Sequence, residues 1–298
     1  GGEIKAALEA GFPAKKIVFA GVGKADWEIE YALEKKIFCF NVESAEELSV
    51  IEELAKKKEN IASIALRINP NIDAHTHEYI TTGLSENKFG IPIEMLDSIF
   101  SQIQRSPHFH IGSQILNLET FHVLCERINQ LQDDLSKRNI QVKHINVGGG
   151  LGVDYENPDK NPIPDFGRYF DIFQHNLNLR GGQQLHFELG RSIVCQCGSL
   201  ITRVLYVKKG IEKQFVIVDA GMTDYQAHHC IENITSDMEK CRYDVVGPIC
   251  ESSDCFGKDV MLNETKRGDL IAIRSAGAYG EAMASQYNCR TLPGYLIE

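Results

Sequence analysis

The chain has 298 residues, 43% of them apolar and 24% charged, and a formal net charge of -10. That length and apolar content allow one large core or two ordinary ones and exclude a disordered chain. The acidic balance, with no long basic run, excludes a general nucleic-acid binder, and no apolar stretch is long enough to span a bilayer. The cysteines number 9, an odd count without a framework spacing, which suits a reducing cytoplasm. The sequence opens Gly1-Gly2-Glu3 inside a helical pattern and without a signal-peptide pattern, as though an upstream segment belonged to it.

Short apolar strands alternate with amphipathic helices over the first two-thirds. Ile17-Val18-Phe19 reads as a strand and is followed by a helix through Trp27, Ile29 and Leu33. Phe38-Cys39-Phe40 is the next strand. The helix after it starts near Ser44, with Glu47 placed for a capping box and Leu48, Ile51 and Leu54 on its apolar face. Ile64 to Ile68 is a strand ended by Asn69-Pro70. A helix is expected near Met95 to Ile103, and another from Leu118 to Lys137 with Phe121, Leu124, Ile128 and Leu131 on one face. Strand His144 to Val147 runs into three glycines, and helix Tyr169 to Leu179 leads to strand Leu185 to Glu188. Repeated βα units of this kind predict a parallel sheet, open or closed into a barrel. After Arg191 the pattern becomes strand-rich (Leu200 to Val207, Phe215 to Val218, Tyr243 to Val246, Leu270 to Ile273), so a domain boundary is expected close to Ser192. The joins before His108 and over Thr223 to His229 are too tight for ordinary connections, as though segments were missing there.

Chemistry concentrates at a few of these strand ends. Gly148-Gly149-Gly150 follows a strand directly, so its amides can converge into a phosphate-binding nest, or simply form a tight turn. A dinucleotide fingerprint fails because Val153 stands where its last glycine belongs. Gly21-Val22-Gly23-Lys24 fails as a P-loop because Val18 and Ala25 replace required residues. His108 and His110 alternate and share one face of a strand. Beyond them, Gly112 permits close backbone approach and Ser113 can donate to a phosphate oxygen. Glu188 closes an apolar run before Gly190-Arg191, the position of a catalytic carboxylate at a barrel mouth or of a surface ion pair. Cys250-Glu251-Ser252-Ser253-Asp254 is a polar loop, and Asp219 to Met222 and Gly277 to Gly280 are glycine-bearing turns. Cys195-Gln196-Cys197 reads as two strand residues facing the same way, His75-Thr76-His77 as a polar loop, and no metal is expected.

In this order and spacing, His110 to Gln114, Asn146 to Gly150, Glu188 to Ile193, Asp219 to Asp224, Cys250 to Asp254 and Gly277 to Gly280 resemble the fold-type III pyridoxal-phosphate decarboxylases over essentially the whole chain. The resemblance implies an α/β fold, a (β/α)8 TIM-type barrel over residues 1–192 followed by a C-terminal β domain over 193–298, as in alanine racemase and ornithine decarboxylase. It implies pyridoxal 5'-phosphate as cofactor, with His110 stacked on its ring. Ser113, Gly149, Gly150, Gly190 and Tyr279 would hold the phosphate with Arg191, and Glu188 would face the ring nitrogen. Cys250 would act as a proton donor in a partner subunit's site, where Glu251 would read a distal substrate ammonium. Arg191, Tyr225 and Tyr279 would also contact the amino-acid substrate. The implied assembly is a homodimer with shared active sites, and the implied reaction is decarboxylation of meso-2,6-diaminopimelate to L-lysine. Ornithine, arginine or a carboxylated polyamine are alternative substrates, and a non-catalytic relative that binds a protein is a different class. The chain departs from the family pattern at Leu189, where proline is usual, and lacks an arginine between Asp224 and Tyr225. The lysine that links the cofactor covalently would lie upstream of Gly1, and Lys24 is not its counterpart.

Overall fold

A computed structural model describes residues 1–70, 72, 88–96, 99, 106–225 and 230–297. The chain forms two compact units, the first made of Gly1–Leu151 and Asp165–Leu189, the second of Gly152–Pro164 and Gly190–Glu298.

Among the described residues the first unit carries seven strands, β1 (Val18–Phe19), β2 (Cys39–Val42), β3 (Ile64–Asn69), β4 (Ile91–Pro92), β5 (Ser106–Phe109), β6 (His144–Asn146) and β7 (Gln184–His186). They form one sheet in the order β1-β2-β3-β5-β6-β7, with β4 beside β3, and every pairing is parallel. Helix α1 (Gly2–Glu9) precedes β1, and helices α2 (Asp26–Lys35), α3 (Ala45–Lys57), α4 (Glu119–Lys137) and α5 (Phe166–Asn176) run between the strands. A flat sheet would hold β2 and β7 four strand spacings apart, roughly 19 Å. Yet Asn41 on β2 hydrogen-bonds Glu188, just past β7, at 3.0 Å. The ring of Phe38 lies 6.1 Å from that of His186. The sheet is therefore curled into the wall of a barrel, with Asn41 and Glu188 at the carboxyl ends of their strands, the end at which such barrels carry their chemistry.

Burial explains the elements. All six positions of β3 are buried, as expected of a parallel strand covered on both faces. In α4 the residues Phe121, Leu124, Cys125 and Ile128 recur at helical spacing and are fully buried. Phe121 meets Tyr169 of α5 edge-on at 4.9 Å and Phe173 at 6.0 Å. Helix α3 begins at Ser44, whose side chain accepts from Glu47 N at 3.1 Å. The capping box expected there is only half formed: the Glu47 carboxylate reaches past Ser44 to Glu43 N at 2.7 Å and to Lys24 Nζ at 2.6 Å. A buried cation is the stronger claimant for that carboxylate.

The second unit holds strands β8 (Leu200–Lys209), β9 (Gln214–Val218), β10 (Ile231–Asn233), β11 (Lys240–Val246), β12 (Cys255–Asn263) and β13 (Leu270–Ile273). Their order is β10-β13-β8-β9-β11-β12, antiparallel except for the β9–β11 pair. Val204, Val216, Val218, Val245, Ile271 and Ile273 form its core. Strand β12 escapes sequence reading because Gly257 and Asp259 interrupt it, Asp259 with a φ of 54°, and its register against β11 shifts nearby. Two short helices complete the unit, α6 (Arg191–Val194) and α7 (Gly280–Met283).

Several expectations need correcting. Cys195–Cys197 is a 3-10 turn continuing α6 and not a strand, so Cys195 is buried and Cys197 exposed. The chain passes into the second unit at Leu189/Gly190, and Gly152–Pro164 also belongs to that unit. Its contacts explain why: the Asp159 side chain pairs with Arg274 at 2.9 Å, and the Asn161 backbone carbonyl accepts from the Gln196 side chain at 2.7 Å. Of the helix expected from Met95 to Ile103, the described residues Leu96 and Ile99 are helical, and a 3-10 turn over Ile93–Met95 leads into them. His75-Thr76-His77 and the tight joins at 100–105 and 226–229 fall outside the described residues.

Because Phe121 is fully buried between α4 and α5, Phe121→Ala should cost about 3–5 kcal/mol, read as a lower denaturant midpoint in equilibrium unfolding.

Candidate active site

The carboxylate of Glu188 organises the mouth of the first unit. Its Oε1 accepts from Asn41 Nδ2 at 3.0 Å and from Asn146 Nδ2 at 2.8 Å. Its Oε2 lies 3.2 Å from Nε2 of the buried His108. The parallel register makes this possible, for His108 pairs with Asn146 and Asn146 with His186, so the strand ends are level. Burial by itself would raise the Glu188 pKa, but the hydrogen bonds from His108, Asn146 and Asn41 and the His108 charge outweigh it and bring the pKa down to about 2. Glu188 is thus an anion at any physiological pH, and its side chain keeps 32% exposure. It is half-open to whatever occupies the mouth.

His110, one residue beyond β5, is half-buried. Its Nδ1 accepts from Gly149 N at 3.3 Å, which places the proton of the neutral ring on Nε2. Burial, then the nearby Arg67 and His108 charges, push its pKa down to about 4, so it is neutral near pH 7. The glycine loop is built for close approach. A Cβ on Gly149 would lie 2.3 Å from the Glu188 carbonyl oxygen, and one on Gly150, whose φ is +104°, 2.8 Å from the Gly112 carbonyl. Gly112 and Ile115 thereby lie against Gly150, whose carbonyl accepts from Ile115 N at 2.8 Å. Two of the amides expected to form a nest have protein partners here: Gly148 N donates to Asn146 Oδ1 at 2.9 Å, and Gly149 N to His110.

Behind the mouth is a chain of buried charges. Lys24 Nζ donates to the Gly21 and Asn41 carbonyls at 2.7 and 2.8 Å and to Glu47 at 2.6 Å. An ammonium has three protons, so Lys24 is fully engaged and holds β2 in place instead of serving as a nucleophile. Arg67 pairs with Glu43 at 2.7 Å, both buried, and the same carboxylate accepts from Gly90 N at 2.8 Å. Sequence reading missed Asn41, Asn146, His108 as a Glu188 partner, and Arg67. The available signal was a polar residue inside an otherwise apolar parallel strand, which must find a partner.

The remaining candidates belong to the second unit. Arg191 Nη1 donates to Tyr155 Oη at 2.5 Å, and its guanidinium lies 4.7 Å from the centroid of Tyr279. Gly190 caps α6. Tyr225 is buried in the β core and donates its hydroxyl to the Ser275 carbonyl at 3.1 Å. Cys250 and Glu251 are exposed in the loop after β11, where Glu251 accepts from Tyr287 at 3.1 Å. That loop is closed by the buried Asp254, which accepts from Met222 N and Ile249 N, each at 2.6 Å. Among the described residues no group of three or more His, Cys, Asp or Glu side chains is placed to hold a metal. No helix among them is long and apolar enough to cross a membrane.

An ionised, half-open carboxylate beside a neutral imidazole and a glycine-lined turn fits a cationic heteroaromatic ring with a phosphate tail. The family described as pyridoxal-dependent decarboxylase, pyridoxal binding domain, matches residues 1–195. The chain belongs to this family of pyridoxal-dependent decarboxylases, and its cofactor is pyridoxal 5'-phosphate. Within the family it is similar to diaminopimelate decarboxylases. That of Bacteroides thetaiotaomicron is 61% identical over 99% of this chain and 80% of that protein. The Helicobacter pylori crystal structure, complexed with L-lysine, shows 46% identity and a TM-score of 0.86, covering 96% of this chain and 74% of that one. A lysine/ornithine decarboxylase from Vibrio vulnificus, 20% identical with a TM-score of 0.81, shares the fold. These neighbours share the barrel-plus-β-domain class expected from the sequence.

The two depressed pKa values act on stability in the same direction. Glu188 stabilises the fold above its unfolded value near 4.5, and this is lost as pH falls towards 2. His110 is held neutral, so its contribution is complete above 6.5 and is lost as pH falls to about 4. Unfolding titrations should therefore show about 2 kcal/mol of stability disappearing between pH 6.5 and 4. In His110→Gln that step should vanish while the loss below pH 4.5 remains.

Proposed function

We propose that the protein decarboxylates meso-2,6-diaminopimelate to L-lysine, using pyridoxal 5'-phosphate at the mouth of the first unit. The observation that carries this reading is the anionic Glu188, fixed by donors from β2, β5 and β6. When bound, the cofactor supplies an electron sink for the pair left behind as carbon dioxide departs. The anion at Glu188 keeps a proton on the ring nitrogen. The neutral His110 ring covers one face of the cofactor. Ser113, Gly150, Gly190, Arg191 and Tyr279 would take the phosphate end, and Gly149, whose amide donates to His110, would serve through its lack of a side chain.

The substrate assignment is supported by the similarity to proteins named diaminopimelate decarboxylase, some of them solved with L-lysine bound. In this reading Glu251 pairs with the distal ammonium, so substrates lacking it leave a carboxylate unsatisfied and are rejected. Cys250 returns a proton to the reacting carbon. Both act on a partner subunit's site, which makes the working form a homodimer. A cytoplasmic location is part of the proposal and agrees with the free state of all nine cysteines. Tyr225, whose hydroxyl donates to Ser275 and can still accept, would contact the substrate together with Arg191 and Tyr279.

Carbon dioxide release should be observed with meso-diaminopimelate and not with ornithine, arginine or a carboxylated polyamine; turnover of ornithine alone would overturn the assignment. Glu188→Gln should lower kcat by about 100-fold or more, because a neutral amide no longer holds the ring proton. For the shared site, mixing Glu188→Ala with Cys250→Ala protein should recover part of the activity in mixed dimers. Mixed dimers that form and stay inactive would show that each site is built from one subunit.

A further inference from the structure

Tyr155 lies in the segment Gly152–Pro164, outside every motif used so far, yet its side chain meets Arg191 directly. Its oxygen accepts from Arg191 Nη1 at 2.5 Å. The same oxygen lies 3.2 Å from Sγ of the buried Cys195, one turn further along. The guanidinium carbon is 5.8 Å from the Tyr155 ring centroid and 4.7 Å from that of Tyr279, so two aromatic rings flank the cation. Neither ring is placed casually. Tyr279 has a left-handed backbone with φ 66°, a conformation that costs energy for a bulky residue. The chain before it is tied to α6 by Gly277 N donating to the Cys195 carbonyl at 2.9 Å. Tyr155 is held by its own backbone, whose carbonyl accepts from Cys230 N at 3.2 Å, and it packs with Val153, Cys195 and Ala278.

An arginine side chain has many rotamers and would lose much of its freedom on meeting a phosphate. The Tyr155 hydroxyl on one amino group and the Tyr279 ring beside the guanidinium remove that freedom beforehand. We propose that Tyr155 is the positioning residue for Arg191, presetting its guanidinium for the phosphate end of the cofactor. This rests on the assignment of Arg191 to the phosphate given above. Burial pushes the Tyr155 pKa up to about 12, with Cys195 adding to it against the opposing Arg191 charge, so the phenol remains a neutral acceptor across the working range.

The test uses the full chain and two probes, pyridoxal 5'-phosphate and pyridoxal, whose binding is measured by equilibrium dialysis without substrate. Tyr155→Phe keeps the ring and removes the acceptor. It should weaken the phosphorylated probe about ten-fold while changing pyridoxal less than two-fold. Arg191→Ala should show the same selectivity, and Tyr155→Phe should add nothing in that background. Thermal melts report whether each variant is folded. Tyr155→His, which keeps a planar ring with a hydrogen-bonding edge, is the second variant and should lose less selectivity than Tyr155→Phe. An equal loss for both probes, or no loss, in Tyr155→Phe with Arg191→Ala still selective would overturn the positioning role alone. An unselective Arg191→Ala would instead remove the assignment of Arg191 to the phosphate, and the role of Tyr155 with it.

Discussion

The architecture depends on keeping one carboxylate charged in a place where burial opposes charge. Desolvation favours the protonated form of Glu188, and neutrality would leave nothing to hold a proton on a pyridine ring. The opposition is overcome by donors from three strands, Asn41, His108 and Asn146. They converge only because the sheet curls enough to bring β2 across to the end of β7. Curvature of the backbone and ionisation of a side chain are thus two views of one constraint. A flatter sheet would withdraw Asn41 and a shifted β6 would withdraw Asn146, each leaving the charge less supported.

The same economy appears one layer out. Lys24 grips the carbonyl of Asn41 while its charge is met by Glu47, and Glu47 in turn steadies the backbone of Glu43, the partner of Arg67. In these two pairs each charge has an opposite, and each pair also holds a piece of backbone near a strand end. Removing one member would strand its partner without solvent, which is why such networks resist piecemeal change. The second unit solves a similar problem with aromatic rings, since Arg191 is set between Tyr155 and Tyr279.

Much of this was legible in the sequence where periodicity and punctuation agree. The helical spacing of Phe121, Leu124 and Ile128 gave α4 almost to the residue, and an apolar run ending in Glu188 marked a strand tip. Glu188 and His110 could be nominated because they stand beside glycines. Asn146 stood in such a glycine motif without showing its partner, and Asn41 and Tyr155 could not be nominated at all, because their roles are contacts to residues far away in the chain, and no local pattern encodes a partner 147 positions distant. Strand β12 was invisible for the opposite reason: its glycine and left-handed aspartate are local signals of a turn, overridden by pairing along β11. The Cys195–Cys197 turn shows the converse error, an alternation of cysteines read as a strand where a helical turn had already begun at Gly190.

The excursion of Gly152–Pro164 makes the chain pass from one unit to the other three times, at Leu151/Gly152, Pro164/Asp165 and Leu189/Gly190. A single cut therefore cannot yield two self-sufficient halves. A fragment ending at Leu189 would carry Val153 and Tyr155 stripped of Cys195, Ala278 and Arg191, and the remainder would lack the strand-free loop that completes its small apolar cluster. Recombination that exchanged the β-rich half with that of a relative would have to replace this loop as well. The module boundary is a braid of three crossings, and inheritance has to copy it whole.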